Sequence, residues 1–499
     1  MASYFIGLDA GSSVCKAAIF DLSGRQYGVA SRRTPLSRPH VGWSELDPDM
    51  VWAAAQDVIV EVVAESGLDP HEIAGLGITA AMVGVWLVDS AGTALRPGII
   101  WEDCRSQSII DEMVAKDPQI LSRIFLSSGS VMQQGCTLPV LAWLVRNEVD
   151  VLARAAHALS YKDFLRMKLT GEVATDRSEA SVIPGDAASR DRSDAMISLF
   201  GLDAWRHLLP EVRDSETVHG GLLPEVAERL RLPAGLPVAI GAGDVPATVV
   251  GAGGLAPGTI TAVLGTTCMV GLCTDRPVFM PRDLGLLFSL PDDCWYRAMV
   301  NVAGTLNLDW ALTALAPDLA NLPDRYERVT AMAEAVAIGA GDLTYLPYLS
   351  ESGIIAPVVD IHARAQFSGL SPRHDRAAMF RAVFEGVAFA FRDLVEALDA
   401  GGGPILLTGG GGQSHFWSQM IADVLGREIV VPNGTQFGAR GVALIAATAV
   451  GAFADVRSAS AAVAGGGRRH FPSEEHTAAY HAAFQVYRAR RDRLLGVSD

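Results

Sequence analysis

Asp9-Ala10-Gly11-Ser12-Ser13-Val14-Cys15-Lys16 puts a carboxylate, a glycine turn with two hydroxyls and an ammonium close together. A tight turn of this kind offers backbone N–H groups and hydroxyls to phosphate oxygens. Lys16 adds positive charge, and Asp9 can hold Mg2+ directly or through water. An ordinary hairpin with an aspartate cap has the same composition, because Gly-Ser turns are common. Gly265-Thr266-Thr267 follows the same logic with threonine hydroxyls. A third turn, Gly409-Gly410-Gly411-Gly412-Gln413-Ser414, lacks side chains where a flat purine or a ribose would approach the backbone. Its plainer reading is a flexible loop. Finally, Val238-Ala239-Ile240-Gly241-Ala242-Gly243-Asp244 reads as a buried strand that ends in small residues and one carboxylate. Phosphoryl transfer to an alcohol needs a group to take the hydroxyl proton, and Asp244 is placed to be that base. The competing role is as N-cap of a helix beginning Val245-Pro246.

The elements that must carry these residues are legible from hydrophobic period. From Tyr4 to Arg32 the chain alternates apolar and polar residues in three runs split by Gly11-Ser12-Ser13 and Ser23-Gly24, which predicts a three-stranded meander. In a dinucleotide-binding fold the first glycine turn would open a helix. Here it is followed by another strand, so the turn is a hairpin tip. The unit recurs where Thr259 to Leu264 runs through Gly265-Thr266-Thr267 into Cys268 to Cys273. Two halves that each open in this way predict two similar α/β domains facing each other across a ligand cleft. Phe380, Val383, Phe384, Val387 and Phe391 fall at helical spacing, as do Trp417, Met420, Ile421, Val424 and Leu425 before Gly426. Ile405-Leu406-Leu407-Thr408 is a buried strand that empties into the four-glycine run, while residues 401–403 and 465–467 are loops. The domain boundary is set just after Asp244, giving units 1–244 and 245–499.

Composition bounds the alternatives. A chain of 499 residues exceeds what one core organises, and 49% hydrophobic against 19% charged residues is the balance of a packed globular enzyme. With 40 Lys plus Arg against 56 Asp plus Glu, a formal charge of -16 and no long basic run, a nucleic-acid surface is not expected. Cys15, Cys104, Cys136, Cys268, Cys273 and Cys294 form no CxxC pair and are expected to be free thiols. No signal-peptide pattern or uninterrupted apolar span is apparent, so the expected location is the cytosol, with no membrane partner.

The ordered set of motifs resembles the FGGY family of carbohydrate kinases from Ile6 to about Ala447. Ile6-Gly7-Leu8-Asp9-Ala10-Gly11-Ser12-Ser13 is similar to that family's first phosphate motif, and Gly42-Trp43-Ser44-Glu45-Leu46-Asp47-Pro48 to its Gly-Trp-x-Glu-x-Asp-Pro segment. Ile100-Trp101-Glu102-Asp103-Cys104-Arg105 looks like the Trp-x-Asp-x-Arg segment beside the sugar. Gly235-Leu236-Pro237-Val238 leading to Asp244 is similar to the approach to the catalytic aspartate, and Pro257-Gly258 through Thr267 to the second phosphate motif. Leu346-Pro347-Tyr348-Leu349, Ala363-Arg364, Phe367-Ser368-Gly369-Leu370 and Glu385-Gly386-Val387 follow the family in the second half, and the stretch 409–419 resembles its adenosine-binding segment.

The resemblance implies the two-domain actin-like/hexokinase fold, of the ribonuclease H-like type, with ATP and Mg2+ and with Asp244 as base. It places Gly11, Ser12, Ser13, Lys16, Gly265, Thr266, Thr267, Gly409, Gly410, Gly411 and Ser414 around the nucleotide. Met82, Trp101, Asp103 and Asp244 are placed at the acceptor, and Asp9 and Asp244 at the metal. A small sugar or polyol is the implied partner, and a homodimer is implied by analogy alone. Trp43 and Trp101 also suit core aromatics, and Asp103 with Arg105 a surface ion pair worth little. Departures cluster at the acceptor: Ala81 stands where many members carry Gln, Val83 where D-xylulose kinases carry His, and Val140 where Lys is usual. The expected acceptor is therefore a small ketose or polyol other than D-xylulose. Two other classes share the tips: a nucleotide-driven conformational machine of the same fold, and a sugar sensor without catalysis. Asp244 and the segment 101–105 argue against the first, and Asp9, Lys16 and Asp244 together against the second.

Overall fold

Period-2 alternation at the start of the chain closes into strands β1 (Tyr4–Ala10), β2 (Val14–Phe20) and β3 (Gln26–Arg33), the meander the sequence predicts. A computed structural model describes residues 3–301, 303–350, 353–360 and 362–496. After helix α1 (Pro48–Ser66), strand β4 (Ile73–Ala80) lies parallel to β1. Helices α2 (Tyr161–Thr170) and α3 (Arg177–Val182) precede strands β5 (Val218–Gly221) and β6 (Pro237–Ala239), and helix α4 (Asp244–Gly251) follows. The first sheet has the order β3-β2-β1-β4-β6-β5. Helix α1 begins as its sequence dictates: Asp47 accepts the N–H groups of Asp49 and Met50, Pro48 fills the first turn, and Gly67 ends it at φ 68°. Its buried face, including Val51, Ala55, Val58, Ile59 and Val62, covers β2 and β3.

The second half repeats the plan. Strands β7 (Ile260–Leu264), β8 (Cys268–Thr274), β9 (Leu286–Leu290), β10 (Cys294–Asn301), β11 (Ile405–Thr408), β12 (Ile429–Pro432) and β13 (Gly467–His470) form a sheet in the order β9-β10-β8-β7-β11-β12-β13. In each sheet an antiparallel triplet is followed by two parallel strands and an antiparallel edge; β9 is the addition. The two predicted helices are α5 (Arg376–Ala397) and α6 (His415–Leu425), and all five apolar positions predicted for α5 are buried. Gly467, expected in a loop, instead opens the edge strand β13, paired with Pro432. The cysteines are free thiols, and only Cys104 is exposed.

One element sits where its place in the chain does not suggest. Helix α7 (Phe437–Ala449) comes from the second half yet packs on β1 and β4 of the first sheet and along α4. The contact is backbone to backbone. A Cβ on Gly7 would fall 1.8 Å from the Ala439 carbonyl oxygen, one on Gly77 1.9 Å from that of Val442, and one on Gly441 1.8 Å from that of Ala247. Glycine is required at these places because nothing larger than hydrogen fits.

Candidate active site

Three parallel strands of the first sheet deliver their ends to one edge, where ligands of such sheets bind. Strand β1 ends in the Gly11 turn, β4 in Ala81-Met82 and β6 in the turn that reaches Asp244; the Ala81 N–H donates to the Ala10 carbonyl at 3.0 Å. Asp9 lies opposite Lys16 across the hairpin. A Cβ built on Gly438 of α7 would lie 2.7 Å from Asp9 Oδ2 and 3.7 Å from Thr248 Oγ1, so Asp9 faces helices α7 and α4. Gly438 and Thr248 were not signalled by any local motif.

Asp244 is not the helix cap. Gly243 occupies that position, and Asp244 is the first helical residue, its Oδ1 accepting the Val245 N–H at 2.8 Å. Burial pushes the Asp244 carboxyl up to about 7, and the negative charge of Asp9 pushes the same way. Burial likewise raises Asp9 to about 6 against the pull of Lys16. A buried carboxylate that feels the negative charge of a second one is a setting that a cation would relieve. Among the described residues no cluster of three or more acidic, histidine or cysteine side chains forms a metal cage. A pair of carboxylates is nevertheless the donor set that suits Mg2+, which keeps waters and takes further oxygens from phosphate.

Across from this edge the second sheet brings its turns together. The Gly265 N–H donates to Thr267 O at 2.9 Å, closing the tip. Gly304 and Thr305, which the sequence did not single out, buttress it by donating to Thr266 O at 2.6 Å and Gly265 O at 2.7 Å. Gly409 lies against the same tip, since a Cβ there would be 2.5 Å from Leu264 O, and Gly411 presses on the Leu264 side chain. Gly410 is exposed, and a Cβ on it would meet nothing within 4 Å, so its bareness serves no contact inside the protein. Ser414 caps helix α6, its Oγ accepting the Trp417 N–H at 3.3 Å.

On the acceptor side, Met82 is buried against Gly243, beside Asp244. The Trp101 indole N–H donates to Ser12 Oγ at 3.1 Å, joining the predicted sugar segment to the phosphate tip. Trp101 is half-exposed and so not a core aromatic. Asp103, expected to touch the acceptor, is fully buried. Its Oδ1 accepts from Arg105 N at 2.9 Å and Nε at 2.8 Å, and its Oδ2 from Arg105 Nη2 at 2.8 Å and Ser44 N at 2.6 Å. Neither oxygen is left for a sugar. Nor is this a surface pair: Arg105 also reaches Glu45 at 2.7 Å and lies 3.8 Å over the Trp43 ring. The segments 42–48 and 100–105 thus lock each other in place. Val83 holds a left-handed φ of 58°, an outlier for a β-branched residue, with its N–H donated to Glu179 Oε2 at 3.0 Å.

Two facing sheets of one plan, each ending in a hydroxyl-bearing glycine tip, with a carboxylate pair at one lip, define a two-domain phosphotransferase of the actin-like/hexokinase fold. Residues 4–251 match the model of the FGGY family of carbohydrate kinases, N-terminal domain, and residues 260–450 that of its C-terminal domain. The chain belongs to the FGGY family of carbohydrate kinases and is a sugar kinase. It is 33% identical over 456 residues to a xylulose kinase of Klebsiella pneumoniae, covering 89% of this chain and 90% of that one. To an erythritol kinase of Brucella abortus it is 31% identical, covering 90% of this chain and 88% of the relative. The crystal structure of a xyloylose kinase from Brucella ovis superposes with a TM-score of 0.87 at 31% identity, over 99% of this chain and 100% of that one. ATP as co-substrate follows from the kinase family. Among the described residues no helix is long and apolar enough to cross a membrane.

Proposed function

We propose that the protein transfers the γ-phosphate of MgATP to a terminal primary hydroxyl of a small ketose or polyol, with Asp244 as general base. The observation that carries this is Asp244 itself, at the start of α4, next to Gly243, against which Met82 packs, and pushed up to about 7. A base poised near the operating pH takes a proton most effectively. As the hydroxyl oxygen attacks the γ-phosphorus, its proton passes to the Asp244 carboxylate, the bond to the β,γ-bridging oxygen breaks, and ADP departs. Asp9 and Asp244 would hold Mg2+, which supplies charge neutralisation on the phosphates. The first tip with Lys16 and the second tip with Gly409, Gly410 and Gly411 cradle the nucleotide. Ser414 shapes that side through its cap. Asp103 acts through position, keeping Trp101 against Ser12. We place the division of labour at 244/245, with the acceptor on 1–244 and adenosine on 245–499.

The acceptor reading rests on the relatives' names and on the departures. Xylulose and erythritol kinases are among the similar proteins, which supports four- and five-carbon acceptors. Ala81 and Val83 remove the polar partners expected for D-xylulose, and unpaired hydroxyls select strongly against a substrate. A coupled ADP-release assay across ketopentoses, tetroses, pentitols and small polyols tests both parts. Turnover should be highest with L-xylulose or a tetritol or tetrulose. D-xylulose as the best acceptor overturns the pocket reading, and no acceptor-dependent ADP release with any compound overturns the transfer itself.

A further inference from the structure

Beneath the acceptor edge lies a buried polar cluster that the proposed chemistry does not use. Helix α3 is only six residues long, yet three of its side chains bond three different elements. Ser178 Oγ accepts the Gly243 N–H at 2.9 Å, one residue before the proposed base. Glu179 Oε2 accepts the Val83 N–H at 3.0 Å, one residue after Met82. Ser181 Oγ meets Ser289 Oγ of β9, in the second sheet, at 3.0 Å. All four of these side chains are at most 2% exposed.

The base of the helix is anchored as firmly. Asp176 Oδ2 accepts Ser178 N at 2.9 Å and Ser178 Oγ at 2.6 Å, and its Oδ1 lies 3.2 Å from the fully buried Lys162 Nζ. Lys162 also donates to Asp163 at 2.5 Å and to Ile240 O at 3.3 Å, so it grips the same turn that carries Asp244. Burial pushes Glu179 well above the usual carboxylate range, against the opposing pull of Lys162. Its Oε1 has no hydrogen-bond partner among the described residues, so the only bond its carboxyl accepts is the one from Val83. That bond falls on the one residue of the acceptor turn whose backbone is an outlier, at φ 58°. Conformations of this kind persist only where the surroundings over-determine them.

We infer that helix α3 is a positioning element that sets the acceptor turn 82–84 against the catalytic turn 240–244, with Glu179 as the residue that fixes the acceptor turn. Its kinetic consequence rests on the reading of this cleft as the acceptor site. Through Ser181 and Ser289 the same helix ties both turns to the edge of the second sheet, so the acceptor geometry follows the placement of the second domain.

The test uses the full chain with L-xylulose, D-xylulose and erythritol as acceptor probes. Glu179→Ala should raise the acceptor KM about tenfold, the scale of one buried hydrogen bond, and leave the MgATP KM within about twofold. Amide exchange across 81–85 should accelerate in the same variant without ligand. Glu179→Gln keeps an oxygen for the Val83 N–H and should restore both. Glu179→Met, which fills the volume but accepts nothing, substitutes for the alanine variant if that one fails to fold. In a double-mutant cycle Val83→Gly should shrink the penalty of Glu179→Ala, because glycine adopts the left-handed conformation unaided. Unchanged exchange across 81–85, equal rises in both KM values, or additive behaviour in the cycle overturns the inference. If no acceptor supports turnover, the kinase reading fails while the exchange and cycle on stability still decide the role of Glu179.

Discussion

The two hairpin tips are built alike and equipped differently. Two residues before the turn glycine, the first tip has Asp9 paired across the hairpin with Lys16, whereas the second has Val263 paired with Met269. Both tips carry backbone N–H groups and hydroxyls, the kinds of donor that suit phosphate oxygens. Only the first adds charge, and only beside it does a second carboxylate, Asp244, arrive, at the start of helix α4 after a strand two places away in the sheet. In the second sheet the strand next to the tip delivers glycines instead, with Gly409 against Leu264. Two hairpins of one plan are thus equipped differently. In the proposed transfer one tip would manage charge and protons, and the other would present bare backbone to the nucleotide.

This asymmetry can be broken most sharply at Asp244. Asp244→Asn keeps shape and removes the proton acceptor, so kcat should fall about 10²–10⁴-fold while the acceptor KM stays near the parent's. Steady-state assays on the best acceptor check it, and near-parental kcat would place proton handling elsewhere. The next effect should appear in stability and not in kinetics. Asp103→Ala leaves the buried Arg105 guanidinium with Glu45 as its remaining carboxylate partner and the Ser44 N–H without its acceptor, and should cost about 1–3 kcal/mol of folding free energy. Denaturant titration measures this, and a loss confined to acceptor KM would instead return Asp103 to the list of direct ligands.

Lys16→Ala should raise the MgATP KM about 10–100-fold whichever acceptor is offered, the scale of a charged hydrogen bond. An acceptor-specific effect would contradict its place at the phosphates. Thr267→Ala, at the uncharged tip, should raise the same KM by only about 2–10-fold. If Thr267→Ala proves as damaging as Lys16→Ala, the division between a charged and an uncharged tip is wrong.

Features carried by local pattern were legible in the sequence. Alternation and turn glycines marked both hairpins, and the small-residue run before Asp244 marked a strand end that needs close packing. Asp103 and Arg105 were visible as a pair, but their burial depends on Ser44 and Glu45, about sixty residues earlier, and on the Trp43 ring. No short window contains that information. Glu179 was hidden for a similar reason: within Arg177-Ser178-Glu179-Ala180 it reads as a solvated first-turn acid, and only the distant Val83 N–H gives it a task. Ser414 was singled out beside the four-glycine run, and its hydroxyl is engaged in capping α6. The seat of α7 was also illegible, because an amphipathic pattern shows that a helix will be buried and not which half of the chain will bury it.

That seat has a consequence for how the gene tolerates change. Gly7, Gly77 and Gly441 lie where a methyl group would fall within 2 Å of a carbonyl oxygen, and Gly251 is similar at 2.0 Å from Phe437 O. None of the four bears a side-chain functional group. In a saturation-mutagenesis survey they should nevertheless score as intolerant as Asp244, and alanine, the mildest replacement at most positions, should be no milder than valine. Intolerance at these sites would report the closeness of two main chains where α7 seats against β1, β4 and α4, and not contact with any ligand.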